Sequence, residues 1–136
     1  MKDLYEVIVK QGEDIKSVIS SFILKKGWTN VFISGAIGSV IDTAYNAPID
    51  DSIPMNLRTT ECWGAAEIVS FIGEVMTRDH MDEALKKVYK DKESPLFVHI
   101  HASCVTGDGK VWGGGLVHGR AFRALRVFLI PLNDKN

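Results

Sequence analysis

The most constraining feature of this sequence is a strand–turn–strand pattern in the segment Pro95–Leu116. Residues Thr106–Gly109, with the sequence TGDG, predict a hairpin turn because Asp-Gly supplies the positive φ angles that tight turns require. The apolar and β-branched residues before this turn, and Val111–Leu116 after it, predict two adjacent antiparallel strands. The fold must therefore contain an antiparallel sheet that includes this hairpin.

Two histidines, His99 and His101, lie on the first strand of the hairpin. Successive side chains of a strand point to opposite faces, so these two imidazoles share one face. The second strand carries Gly113, Gly114 and Gly115, which cost backbone entropy and offer no side chain for packing. We expect a ligand or another chain to approach this backbone closely. Pairing across the turn places the glycines near the histidines and predicts a pocket there.

Other apolar and β-branched runs predict strands at Leu4–Lys10, Asn30–Tyr45, Ala65–Met76 and Phe122–Leu132. The prolines in Ala47–Thr60 predict mostly loop, with a short strand at Met55–Thr59. The last strand is apolar on both faces, unlike a strand with one face in water. Two interpretations stay open: either helices cover both of its faces, or one face packs on a helix and the other on a neighbouring subunit.

Two segments predict helices. The first opens at Gly12–Asp14, where acidic residues suit the positive end of a helix, and closes at Lys25–Gly27 with basic residues and a glycine. Its apolar stripe has helical spacing and comprises Ile15, Val18, Ile19, Phe22 and Ile23. The second segment, Thr77–Lys90, has apolar residues three or four apart among charged ones and predicts a weak helix.

Length and charge narrow the class of protein. A chain of 136 residues predicts one domain with a real core. Its 16 basic and 17 acidic residues give a formal charge of -1, which offers no long-range attraction to nucleic acid or to an anionic membrane. We find neither a signal peptide nor a membrane-spanning run. Cys62 and Cys104 lack metal-ligand spacing, which predicts reduced thiols in a cytoplasmic protein.

Taken in order, five motifs resemble the plants-and-prokaryotes-conserved (PPC) domain family, and the resemblance covers nearly the whole chain. The motifs are GED at Gly12–Asp14, SGAIG at Ser34–Gly38, EIVSFIG at Glu67–Gly73, HIHA at His99–Ala102, and the paired glycines Gly113–Gly114. The resemblance implies an α+β fold, mostly an antiparallel β-sheet with flanking helices, in a single domain over residues 1–136. It also implies a homotrimer.

The same resemblance suggests a DNA-related role. Plant members carry an AT-hook, a short Arg-Gly-Arg-Pro-type arm that enters the minor groove, and bacterial members are often described as DNA-binding on that kinship. This chain has no such arm, and Gly119-Arg120 is the nearest fragment. We therefore expect weak direct binding to DNA. A charged segment between Met76 and Leu96 also distinguishes the chain from shorter relatives.

The histidine pair allows two interpretations. Neutral imidazoles on one strand face are good ligands for a zinc-like divalent metal ion. In the resembled family a third histidine follows the paired glycines, but that position is Gly115 here. His118 lies three positions further on, and only a bulge or turn at Val117 would bring it to the same face. The alternative is that His99 and His101 are partly buried and hydrogen-bonded across the sheet.

Two further residues also allow two interpretations each. Glu67 is assigned to the ligand pocket with the glycines and is either a general base or the partner of Arg58, Arg123 or Arg126. Cys104 is either a nucleophile or a packing residue. His80 is predicted to lie on the surface.

Two functions follow from the sequence. The first is a non-enzymatic PPC-like regulatory or binding module, with DNA as the partner that the family suggests. The second is a small trimeric enzyme or small-molecule binder that uses the pocket at His99 and His101, with or without a metal ion.

Overall fold

The computed structural model describes residues 3–89 and 94–132. Five strands and two helices follow one another as β1 (Tyr5–Lys10), α1 (Ile15–Lys26), β2 (Asn30–Pro48), β3 (Leu57–Thr77), α2 (Glu83–Val88), β4 (Leu96–Val105) and β5 (Val111–Pro131). A short 3₁₀ turn, Arg78–His80, precedes α2. Every strand pairing is antiparallel. The predicted class, a mostly antiparallel sheet with flanking helices, is confirmed.

The sheet has the strand order β1-β5-β2-β3-β4, and β4 also pairs with β5. Strands β2 to β5 therefore form a closed ladder. The predicted hairpin is present, with His101 opposite Gly115 and Val105 opposite Val111. Its turn is held by a hydrogen bond from the Thr106 amide to the Lys110 carbonyl, at 3.0 Å. This hairpin fixes the position of the histidine pair relative to the glycines.

Helix α1 covers the inner face of the sheet and matches its prediction closely. The Asp14 side chain caps the helix by accepting a hydrogen bond from the Ser17 amide at 2.9 Å. Gly27 ends it in the left-handed conformation at φ 75°. Ile15, Ile19 and Ile23 are fully buried. Burial of an isoleucine stabilises the fold by about 1.5–3 kcal/mol, so this stripe anchors the helix to the core.

Two predicted boundaries in the middle of the chain were wrong. The predicted loop Ala47–Thr60 is shorter, because β2 and β3 continue their ladder to Pro48 opposite Leu57. The polar residues of this stretch do not predict a strand. The strand forms because it pairs with β2, and this pairing outweighs the preferences of its own side chains. The second helical segment contains only the 3₁₀ turn and α2, and Lys90 lies outside the described residues.

The two predicted C-terminal strands are one strand of 21 residues, β5. Its pairing with β2 shifts register at several points. One of these shifts is at Val117, where β5 has one residue more than the paired part of β2. Such bulges bend a strand and increase its twist. The bends let β5 pair with β4 at one end and with β1 and β2 at the other, so no break in the strand is needed.

The inner face of β5 is fully buried at Leu125, Val127 and Leu129. On its outer face Arg126 stays exposed and pairs with Glu6, at 2.7 Å between Nε and Oε2. The guanidinium of Arg126 lowers the pKa of Glu6. The interpretation in which helices cover both faces of β5 is therefore wrong for the described part of the chain. None of the helices described here is long and apolar enough to cross a membrane.

Candidate functional site

The two histidines lie on the outer face of the sheet, on β4. Their rings meet edge to face, with centroids 4.9 Å apart. The register of β3 and β4 sets Glu74 opposite His99, and the Glu74 Oε2 atom lies 3.4 Å from His99 Nδ1. A carboxylate only accepts hydrogen bonds, so the donor in this contact is His99 Nδ1.

A small cavity of about 240 Å³ lies beside this pair. Its walls combine apolar and polar residues and comprise Phe32, Ile72, Gly73, Glu74, His99 and His101. Sequence reasoning missed Glu74, Ile72 and Phe32 as site residues. The alternation of β3 carried a signal for Glu74 and Ile72, since both lie on the strand that pairs with β4. The register of β3 against β4 could not be predicted from the sequence.

The glycine run meets neighbouring strands of the same chain. A Cβ atom on Gly113 would lie 2.8 Å from the Ala102 carbonyl oxygen, and one on Gly114 would lie 2.5 Å from that of Asn46. Gly114 also has φ 143°, which L residues rarely adopt. The expected close approach is therefore made by β4 and β2. Of the three glycines, Gly115 has room for a side chain.

Tyr89, at the C-terminal end of α2, lies above the space beside Gly115. A Cβ atom on Gly115 would be 3.6 Å from the Tyr89 hydroxyl and 3.9 Å from Cδ2 of His101. The Tyr89 ring also lies 5.3 Å from the Phe97 ring and 6.1 Å from the His99 ring. Burial raises the pKa of Tyr89. A residue of the charged segment thus lies beside the histidine pair, which the sequence did not predict.

The residues present do not fit a three-ligand metal site. Over residues 3–89 and 94–132, no three His, Cys, Asp or Glu side chains are arranged to hold a metal ion. The bulge at Val117 exists, but the Nδ1 atom of His118 donates to the Asp42 carbonyl oxygen at 3.2 Å. His118 is therefore not brought together with His99 and His101. A zinc site normally needs at least three protein ligands.

Glu67 does not join the histidines. It lines a separate cavity with Gln11, Gly38, Ser39, Arg123 and Ala124. Arg126 pairs with Glu6 instead, and within the described residues Glu67 makes no ion pair. The assignment of Glu67 to the same pocket as the glycines is therefore corrected. His80 lies on the surface as predicted, with 72% of its side chain exposed.

Cys104 faces the interior, away from the histidines. It is fully buried, and its sulfur accepts a hydrogen bond from the Tyr45 hydroxyl at 3.2 Å. Burial raises the pKa of Tyr45 and of the second thiol, Cys62. A buried thiol in such surroundings is a packing residue, and the nucleophile interpretation finds no support in this geometry.

The sequence from residue 2 to 133 matches the model of the Plants and Prokaryotes Conserved (PCC) domain. The chain belongs to this family. A comparison with curated protein sequences found no match.

Solved structures share the fold. A plant- and prokaryote-conserved protein from Pyrococcus horikoshii is 25% identical, with a TM-score of 0.75 over 100% of this chain and 85% of that one. A metal-containing protein from Archaeoglobus fulgidus is 27% identical, with a TM-score of 0.73 over 95% and 79%. A candidate DNA-binding protein from Bacteroides thetaiotaomicron is 13% identical, with a TM-score of 0.73 over 98% and 85%. The last similarity shows the fold alone.

Replacing Gly115 with histidine tests whether the pair is an incomplete metal site. We expect the zinc affinity of Gly115→His to stay within about threefold of wild type, because an imidazole there needs the space of the Tyr89 hydroxyl. The double variant Tyr89→Ala/Gly115→His should gain at least about tenfold, since it supplies a third ligand and room for it. Calorimetric zinc titrations of both variants, with Tyr89→Ala as the control, measure this. An equal gain in the single variant would show that Tyr89 does not block the position.

Proposed function

We propose that this protein is a self-associating ligand-binding domain whose ligand groove is the cavity beside His99 and His101. The observation that carries the proposal is a cavity in which two apolar side chains, Phe32 and Ile72, lie together with the imidazoles of the histidine pair. Small-molecule sites combine apolar walls with a few placed polar groups. We assign no reaction to the groove, because its described walls offer no nucleophile.

The exposed apolar residues of the outer face support assembly as a homotrimer. Ile8 is 50% exposed and Ile37 is 60% exposed, and both lie opposite Arg126 on neighbouring strands. Ile72, beside the histidines, is 49% exposed. Large apolar side chains exposed on one face of a sheet are typical of interaction surfaces. The family resemblance favours three copies of this chain as the occupants.

DNA remains the second candidate partner. Its support is the fold shared with proteins described as candidates for DNA binding. The balance of 16 basic against 17 acidic residues argues against a tight direct complex, because phosphate contacts supply most of the affinity for DNA. A regulatory role in DNA transactions would then act through a partner protein or a bound ligand.

A panel of matched small molecules tests the groove. Butyrate, butyramide and butylamine share a carbon chain and differ in charge. We expect at least one of them to shift the imidazole NMR signals of His99 and His101. The signals of His80 and His118 serve as internal controls, since neither lines the cavity. Shifts of all four histidines alike, or of none, would contradict a ligand site at this groove.

The assembly is tested by placing a charge on the outer face. Light scattering should give about 45 kDa for the wild type, three times the 15.1 kDa chain. Ile37→Asp should lower this mass toward that of one chain, because it would bury a carboxylate in an apolar interface. Ile53→Asp is the matched control, since Ile53 lies in the β2–β3 loop and is 87% exposed. A wild-type mass of one chain at micromolar concentration would end the trimer proposal.

Direct DNA binding should be weak and insensitive to sequence. We expect gel-shift titrations at physiological salt to give dissociation constants of about micromolar or weaker, with similar values for A·T-rich and G·C-rich duplexes. Nanomolar, sequence-selective binding would instead require a basic surface built across subunits.

A further inference from the structure

The cavity that Glu67 lines is separate from the groove beside the histidines. It has a volume of about 530 Å³, which is within the range of roughly 300–1,000 Å³ typical of small-molecule sites. Its walls are formed by Gln11, Gly38, Ser39, Glu67, Arg123 and Ala124, and none of these residues lines the histidine groove. Most of these lining residues are polar or charged. The cavity is therefore suited to a polar ligand of its own.

A bulge in β5 forms one wall of this cavity. At this point β2 has one residue, Ser39, opposite three residues of β5, Phe122–Ala124. The two backbones are in close contact beside the bulge, because a Cβ atom on Gly38 would collide with the Ala124 carbonyl oxygen. The Arg123 amide donates a hydrogen bond to the Ser39 hydroxyl at 3.2 Å. This bond and the close backbone contact hold Arg123 beside Ser39.

Two opposite charges line the cavity without forming an ion pair. Glu67 lies on β3 directly opposite Ser39, and Arg123 lies on β5, the strand on the other side of β2. Neighbouring strands are about 4.8 Å apart, so β2 separates the backbones of β3 and β5 by about 10 Å. In the part of the chain that the structure describes, neither charged side chain forms a hydrogen bond or an ion pair. Because exposed ion pairs contribute little to stability, leaving both charges unpaired costs the fold little.

Ser39 adds a buried polar group to the cavity wall. It is 7% exposed, and its hydroxyl oxygen already accepts the hydrogen bond from the Arg123 amide. A serine hydroxyl can also donate one hydrogen bond, and among the residues that the structure describes its proton has no acceptor. Buried polar groups normally use their hydrogen-bonding capacity. The Ser39 hydroxyl is therefore a donor for a ligand that reaches the cavity wall.

We propose that this cavity binds a free α-amino acid, with the ammonium group of the ligand on Glu67 and its carboxylate on Arg123 and the Ser39 hydroxyl. The Glu67 carboxylate only accepts hydrogen bonds and an ammonium group only donates them. A guanidinium can donate two parallel hydrogen bonds to a carboxylate. This inference does not rest on the histidine groove, because the two cavities share no residue.

The balance of charges in the cavity favours a zwitterion over a simple ion. A cation bound to Glu67 would lie near the positive charge of Arg123, and an anion bound to Arg123 would lie near the negative charge of Glu67. An α-amino acid pairs with both side chains and adds no net charge. The lining offers Ala124 as its one apolar side chain, so the walls select the charged groups of the ligand rather than a large apolar side chain. L-alanine is therefore a suitable probe.

Three probes with one scaffold test the two charges of the ligand separately. L-alanine carries both charges, L-alaninamide carries only the ammonium group, and N-acetyl-L-alanine carries only the carboxylate. Titrations of the full-length protein are followed by the NMR signal of the Ser39 backbone amide. We expect L-alanine to bind at least about tenfold more tightly than either of the other probes, because a hydrogen bond to a charged group contributes about that factor.

Variants at the two charged residues assign each charge of the ligand to its partner. Glu67→Gln should weaken the binding of L-alanine and L-alaninamide about tenfold and leave N-acetyl-L-alanine unchanged. Arg123→Gln should weaken L-alanine and N-acetyl-L-alanine and leave L-alaninamide unchanged. The matched controls are Glu61→Gln and Arg58→Gln, since both residues are exposed on β3 and neither lines the cavity. Circular dichroism checks that each variant is folded.

Each result supports or overturns the proposal. No shift of the Ser39 signal with any probe refutes a ligand site in this cavity. Binding of L-alaninamide or N-acetyl-L-alanine as tight as that of L-alanine overturns the zwitterion class. Unchanged L-alanine affinity in both Glu67→Gln and Arg123→Gln overturns the assignment of these residues. None of these outcomes bears on the histidine groove, which is tested by the histidine signals.

Discussion

The close approach of β5 to β4 and β2 is the constraint on which the rest of this structure depends. At Gly113 and Gly114 the backbones pass so near that a single methyl group would meet a carbonyl oxygen of the adjacent strand. This contact closes the ladder of β2 to β5 and sets His101 opposite Gly115. The groove itself is lined by residues of β2, β3 and β4, and the closed ladder holds these three strands together.

Much of the fold could be read from local sequence. The Asp-Gly turn, the capped helix α1 and the shared face of His99 and His101 each depend on residues within a few positions of one another. Local rules of turn and capping chemistry describe such features well. The resemblance to the PPC family predicted the sheet as a whole. The match to the family model agrees with that resemblance.

The site was harder to predict because its parts come from distant segments. Glu74 meets His99 through the register of β3 and β4, and Tyr89 reaches Gly115 across the fold. Neither contact leaves a periodic signal in the sequence. The start of strand Leu57–Thr77 was not predicted, for a related reason. Its polar first residues pair with β2, and this pairing outweighs their own preferences. Glu67 was predicted to share a pocket with the glycines, but it lines a different cavity.

Arg126, which forms an ion pair with Glu6, lies between the exposed Ile8 and Ile37 on the outer face. Charges that already neutralise each other can enter an interface at a lower desolvation cost than single charges. The same pair remains unfavourable against a purely apolar surface, where its remaining hydrogen-bonding capacity would be unmet. A partner surface with polar groups opposite this ion pair would therefore bind this face at a lower cost than a purely apolar surface would.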